Sequence, residues 1–383
     1  MGIYLDNNSS SPIDERVLAV MVDTYLNSYG NADSRTHNHG EQARIIVENA
    51  RKQVASLLEI DSSEVFFTSG STESNNITIQ GLEEYALKTN KKHIITSAIE
   101  HKSVLETVKM MKKKSFDVDI VKPDLSGQVN AQEILDKVRE DTLLVSIMHV
   151  NNETGIIQPV DILGEELKKR NVLFHVDATQ SCGKLVEEIR NLRYNMLSFS
   201  AHKLKGPQGV GVLVLKKERY KLPPVKNIMY GGQQEHGIRP GTIPVALVAG
   251  CGKACEIAEN EYKKNSQKLK SLKVILEELL NNSGVDYHYN GNQDYCISSS
   301  ANICFKGVMS EALMILSRQF CSVSNGSACT SKSYSPSYVL EAMGIPVEDI
   351  ESSIRISWEP ETNENEFRDN ICKMLELAKS LAV

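Results

Sequence analysis

The stretch MLSFSAHKLKGPQGVGVLVL, residues 196–215, decides the fold. Its two ends, MLSFS (196–200) and GVGVLVL (209–215), are apolar runs of strand length, and a polar turn with Ser200, His202 and Lys203 lies between them. Continuous apolar strands are those buried on both faces of a sheet. Upstream stand five more such runs: EVFF (64–67), HIITS (93–97), VDIV (118–121), TLLVSIM (142–148) and VLFHVD (172–177). Helical patterns near 73–87, 101–113, 131–139 and 161–169 separate several of them, and residues 41–58 place Ala43, Ile46, Val47, Ala50, Val54, Leu57 and Leu58 on one helical face. The pattern predicts an α/β domain around a mainly parallel seven-stranded sheet with helices on both faces.

The alternation stops near residue 220. A long helical region follows, with Leu269, Leu272, Leu276 and Leu279 on one face. Then come strand-like ANICF (301–305) and SSIRISW (352–358), with helical segments at 310–318 and 364–381. This reads as a smaller α+β domain. The expected division gives 14–250 to the large domain and 1–13 with 251–383 to the small one.

A net charge of -6 argues against a broad nucleic-acid-binding face, which needs clustered Lys and Arg. The basic run KMMKKK (109–114) reads as the solvated end of a helix. No stretch approaches the ~18 apolar residues of a membrane span. MGIYLDNNSSSP at the start has neither a basic region nor an apolar signal core, so a cytoplasmic location is expected. The eight cysteines show no disulfide framework, and Cys251 with Cys255 lack a second ligand pair, so no metal site is expected.

In sheets of this kind ligands bind beyond the carboxyl ends of the strands. The polar residues there form a coherent set. Thr68-Ser69-Gly70-Ser71-Thr72-Glu73 runs into a helix and offers hydroxyls and N–H groups to a phosphate. His101 follows one strand, Asn151-Asn152-Glu153 another, Asp177 ends a third, and Ser200, His202 and Lys203 follow a fourth. Pyridoxal 5'-phosphate requires such a set: an amine for a Schiff base, an acid for the ring nitrogen and a phosphate cup. Lys203 is the candidate amine and Asp177 the acid. Ser71, Thr72, Ser200 and His202 make the cup, and His101 is placed to stack on the ring and move protons.

The motifs TSGSTESNN (68–76), IEHKSVL (99–105), MHVNNETG (148–155), HVDATQ (175–180), SAHKLKGPQGVG (200–211), GGQQEHGIRPGT (231–242) and SNGSACTS (324–331) carry a resemblance. In this order the chain resembles the cysteine desulfurases of the NifS/IscS family, class-V aminotransferase-like enzymes of pyridoxal phosphate fold-type I. The resemblance implies that Lys203 and His101 are catalytic and that Asn152 and Gln180 bond the cofactor ring. It implies that Thr242 reaches the phosphate of a second subunit in a homodimer, and that Arg355 grips the substrate carboxylate. By its sequence context alone Arg355 could equally be an ordinary surface ion pair. It makes Cys329 the nucleophile, carried on a mobile loop of the small domain, which takes sulfur from L-cysteine as a persulfide, leaves L-alanine and hands the sulfur to acceptor proteins. Iron–sulfur assembly, tRNA thiolation and DNA phosphorothioation are the pathways open to it.

GNADSRTH (30–37), HIITSAIEHK and LLVSIMHVNNETG also resemble the DndA branch. The chain departs from the family where a Gly-Arg pair usually follows the arginine strand: here stand Trp358-Glu359-Pro360. That bears on how the small domain closes over substrate. His37 and His39 suggest a substrate-side loop. A selenocysteine lyase, another pyridoxal phosphate lyase or aminotransferase, or an iron–sulfur assembly platform are the alternative readings.

Overall fold

The computed structural model describes residues 2–326 and 336–382. Val65–Thr68 (β1), His93–Ser97 (β2), Asp117–Val121 (β3), Thr142–Met148 (β4), Leu173–Asp177 (β5), Met196–Ser200 (β6) and Gly211–Leu215 (β7) form a seven-stranded sheet. The order is β1-β7-β6-β5-β4-β2-β3. β7 runs antiparallel to both neighbours and the remaining pairs are parallel. The expected α/β architecture is therefore present.

Side chains on a strand alternate between faces, and the two cores show this. Val65, Phe67, Ile95, Val145, Leu197, Val212 and Val214 pack into one cluster, together with Ala43, Val47 and Val54 of the Asn38–Leu58 helix. Phe66, Ile94, Leu144, Met196, Leu213 and Leu215 pack on the other face, against Ile77, Val104, Val108 and Met111. The two-faced burial explains why the strands read as continuous apolar runs. KMMKKK closes the Lys102–Lys113 helix, with Met111 buried and Lys112 and Lys113 in the last turn, where cations complement the helix dipole.

One expected helix is two. The segment at 73–87 splits into Ser71–Gln80 and Glu83–Thr89 at Gly81. A Cβ on Gly81 would come within 2.4 Å of the Lys226 carbonyl, whose own N–H bonds the Gly81 carbonyl at 2.9 Å. A later loop thus docks on the backbone where the helix breaks.

A second core gathers around Tyr287–Tyr289 (β8), Ser300–Phe305 (β9) and Ser353–Ser357 (β10), an antiparallel sheet in the order β10-β9-β8. The Val245–Ser283 helix runs unbroken between the two cores, with Val245, Val248 and Cys251 in the first and Leu269, Leu272 and Leu276 in the second. Ile3–Tyr4 pairs with Cys321–Ser322 beside the small core. Trp358 lies fully buried in that core, edge-on to Phe367 at 5.7 Å, and Glu359 accepts a hydrogen bond from Ser11 at 2.7 Å. The departure after the arginine strand is thus a packed element of the small core joined to the amino-terminal segment.

Candidate active site

The carboxyl ends of β1, β2, β4, β5 and β6 open on a single cavity of about 510 Å³, within the ~300–1,000 Å³ usual for small-molecule sites. The Ser71–Gln80 helix points its first turn at it. Gly211, opening β7, is what lets that turn approach: a Cβ there would come within 2.5 Å of the Gly70 Cα. Ser200 Oγ accepts the Ser71 N–H at 2.7 Å and donates to Ser71 Oγ at 2.9 Å. The two hydroxyls are thereby oriented beside a helix start, where N–H groups without helical partners favour an anion. His202 lines the same region, and burial with the neighbouring Lys203 drives its ring down to about 4, so it is neutral at pH 7.

Asp177 ends β5 and is almost wholly buried. Its Oδ2 accepts from Asn75 Nδ2 at 2.8 Å, and its Oδ1 from the Thr179 N–H at 3.0 Å and from the Thr179 hydroxyl. Two residues earlier His175 bridges Ser146 and Ser198 at 2.9 and 3.0 Å, with its ring held at about 4 by burial. Neutral His175 braces β5 between β4 and β6.

His101 caps the Lys102–Lys113 helix: its Nδ1 accepts the Ser103 N–H at 3.2 Å and lies 2.8 Å from Ser103 Oγ. With Nδ1 an acceptor, the network assigns the ring proton to Nε2. Burial lowers its basicity, opposed by Asp177. Lys203 Nζ donates to the carbonyls of Asn8 and Ser9.

Arg355, on β10, is 2% exposed. Its Nη1 donates to the Asn152 carbonyl at 2.8 Å and its Nη2 to Asp6 at 2.5 Å. It is therefore no surface ion pair. Gln180 donates to the Asn8 carbonyl at 2.9 Å.

Ser71, Thr72, His101, Asn152, Asp177, Gln180, Ser200, His202, Lys203 and Arg355 all line this one cavity. Thr242 does not; it is exposed on this chain. Cys329 lies outside the described residues, although Gly326, just before that segment, is part of the lining. His37 and His39 are absent from the lining: His37 caps the Asn38–Leu58 helix through Gly40 N–H at 3.1 Å, with its Nε2 3.0 Å from Ser34 Oγ. Cys182, the thiol nearest Asp177 in sequence, is buried in the large core with its ionisation pushed well up by burial.

Sequence reasoning missed the contributions of Asn8, Ser9 and Ser10, and the tie that Glu73 makes to Arg239. The polar run DNNSSS (6–11) was the available signal. Glu73 bonds Arg239 at 3.1 Å and so ties the 231–242 segment to the first turn of the cavity-facing helix.

The fold and the strand-end residues define an α/β enzyme domain of the aminotransferase type. The chain belongs to the aminotransferase class-V family, whose sequence profile matches residues 3–368. It is 42% identical to the cysteine desulfurase IscS of Pasteurella multocida over 368 residues, 95% of this chain and 90% of that protein. A NifS-like protein of known structure superposes with a TM-score of 0.91 at 36% identity, covering 100% of both chains. DndA from Streptomyces lividans superposes at 0.81 with 38% identity, covering 92% of this chain and 98% of that one.

The residues present fit pyridoxal phosphate. Three buried polar atoms of the lining, Asn152 Oδ1, Gln180 Oε1 and Arg355 Nε, have no partner among the described residues. Such atoms are costly unless a ligand satisfies them. The donor set, a lysine with a buried carboxylate and a hydroxyl-rich helix start, is the one this cofactor's chemistry requires.

Proposed function

We propose that the protein is a pyridoxal phosphate-dependent cysteine desulfurase that converts L-cysteine to L-alanine and carries the released sulfur as a persulfide on Cys329. The observation that carries the reading is the convergence of Lys203, Asp177, His101 and Arg355 on one cavity, in a chain 42% identical to a cysteine desulfurase.

Lys203 would hold the cofactor through its amine, Asp177 would face its ring nitrogen, and Asn152 and Gln180 would meet its ring substituents. Ser71, Thr72, Ser200 and His202 would take its phosphate. When bound, the cofactor supplies an electron sink for the pair left on carbon. Arg355 orients the substrate by its carboxylate, which a guanidinium matches bidentately. His101, neutral with its proton on Nε2, can donate and recover a proton at that atom. The Cys329 thiolate attacks the sulfur of the bound cysteine. A sulfur–sulfur bond forms, the carbon–sulfur bond breaks, the electron pair stays with carbon, and a proton there completes alanine. Sulfur then passes to an acceptor protein.

The reading includes a cytoplasmic homodimer. Among the described residues no helix is long and apolar enough to cross a membrane, and seven cysteines are free. Leu18, Val22, Tyr25 and Leu26 leave one side of the Glu15–Asn27 helix exposed and apolar, as an interface does. Thr242, exposed on its own chain, is available to a second copy. The test is direct: purified protein supplied with pyridoxal phosphate, L-cysteine and a thiol reductant should release alanine and sulfide in equal amounts. No alanine would overturn the reading.

A further inference from the structure

We propose that Glu153 is a positioning residue for Cys329: from the loop that carries Asn152, its side chain bonds Ser337 and packs against Gly326, on either side of the cysteine-bearing segment. The inference rests on the reading of the site above and deepens it.

Glu153 is 2% exposed. On the far side of the segment, Ser337 Oγ donates to Glu153 Oε2 at 2.5 Å. Ser337 Oγ also accepts the Leu340 N–H at 3.2 Å as cap of the Tyr338–Ala342 helix, so the same hydroxyl serves the helix start and the carboxylate. On the near side Gly326 sits flush against the same carboxylate: a Cβ there would stand 3.1 Å from Glu153 Oε2 and 3.4 Å from its Cβ and Cγ. Gly326 has φ of +88°, so a side chain would be strained as well as crowded.

The Glu153 main chain is held from two directions. Its N–H donates to Asn151 Oδ1 at 2.8 Å, and its carbonyl accepts from Asn302 Nδ2 at 3.0 Å, on β9. The adjacent Asn152 carbonyl takes Arg355 Nη1. Glu153 thus touches both sides of the nucleophile segment, and its neighbour Asn152 is bonded to the arginine read as holding substrate. Burial pushes the Glu153 carboxyl up to about 7, opposed by the Ser337 bond and by Arg355 and Lys102. Such a buried acid is costly, and the mechanism gives it no proton to move.

The test uses Glu153→Ala, Glu153→Gln, Ser337→Ala and the double alanine variant, with two readouts. On cofactor-free protein, the rate at which iodoacetamide alkylates Cys329 is followed by mass spectrometry of its peptide. On holoenzyme, kcat and KM for L-cysteine are measured. Loss of one buried hydrogen bond to a charged group predicts a roughly tenfold fall in kcat for either alanine variant. KM should stay within about twofold, since Arg355 is untouched, and the alkylation rate should change at least about threefold. Glu153→Gln keeps an acceptor for Ser337 and should recover most of kcat. The double variant should be no worse than the poorer single, as partners in one interaction are non-additive. Alanine variants with wild-type kcat and alkylation rate would overturn the proposal, as would fully additive effects. If Glu153→Ala fails to fold, Ser337→Ala and Glu153→Gln still decide it. If the wild type itself releases no alanine, the desulfurase reading fails, and the alkylation arm still decides the anchor.

Discussion

Arg355 spends two nitrogens on the protein, Nη1 on the Asn152 carbonyl and Nη2 on Asp6, and leaves buried Nε without a partner among the described residues. A substrate carboxylate that bonds it gains a charge-assisted contact worth ~1.5–3 kcal/mol. Arg355→Ala should therefore lower kcat/KM for cysteine by about ten- to a hundredfold, with most of the loss in KM. Unchanged steady-state kinetics would place the carboxylate elsewhere. Glu100 makes a different prediction. Its Oε1 accepts from Ser97 at 2.6 Å and from the Met148 N–H at 3.0 Å, while its Oε2 is buried with no partner among the described residues. Burial raises its carboxyl from the usual 4.5 to about 8. Between those values the folded protein holds a proton that the unfolded chain releases. Stability should then fall as pH rises, by up to about 1.4 kcal/mol per pH unit. Urea unfolding at pH 5 and pH 8 should show wild type losing stability relative to Glu100→Gln. A difference between the two proteins that stays constant across that range would refute the assignment.

At the scale of elements, Gly211 sets the distance between β7 and the start of the Ser71–Gln80 helix. Gly211→Ala must push the Gly70 turn away, and overpacking of this kind costs ~1–3 kcal/mol. Fluorescence titration should find weaker cofactor binding together with a lower unfolding midpoint; tight binding at wild-type affinity would mean the turn relaxes freely. The strands around this turn were legible because burial on both faces leaves an uninterrupted apolar run, as in TLLVSIM. The helices were legible from their period, and His101 marked a helix start because its ring does the capping. The break at Gly81 was not legible, since its cause is the Lys226 carbonyl, far away in sequence. The amino-terminal loop was missed for a similar reason: Asn8 and Ser9 contribute backbone carbonyls to Lys203, and any residue has those. The capping role of His37 was not legible, because a capping histidine and a site histidine look alike until the helix is placed. Asp177 and Lys203 were legible as types at strand ends and Arg355 only through the family resemblance, whereas their convergence required the fold.

The whole molecule places a cofactor-sized cavity at the strand ends of the large sheet, with Arg355 of the small sheet and Gly326 on its wall. If a second copy covers the apolar side of the Glu15–Asn27 helix, sedimentation equilibrium at micromolar concentration should return a dimer. A monomer with full activity would contradict the shared-site reading of Thr242. The central claim concerns sulfur, and one measurement meets it most directly. Wild type and Cys329→Ser, both loaded with pyridoxal phosphate, are exposed briefly to L-cysteine. Intact-peptide mass spectrometry then locates added sulfur while released alanine is counted. The account predicts one extra sulfur atom on the Cys329 peptide of the wild type, with Cys182 and Cys321, whose thiols burial holds protonated, unmodified. It predicts that Cys329→Ser binds cofactor yet releases essentially no alanine. Sulfur on another cysteine, or normal turnover by Cys329→Ser, would contradict it.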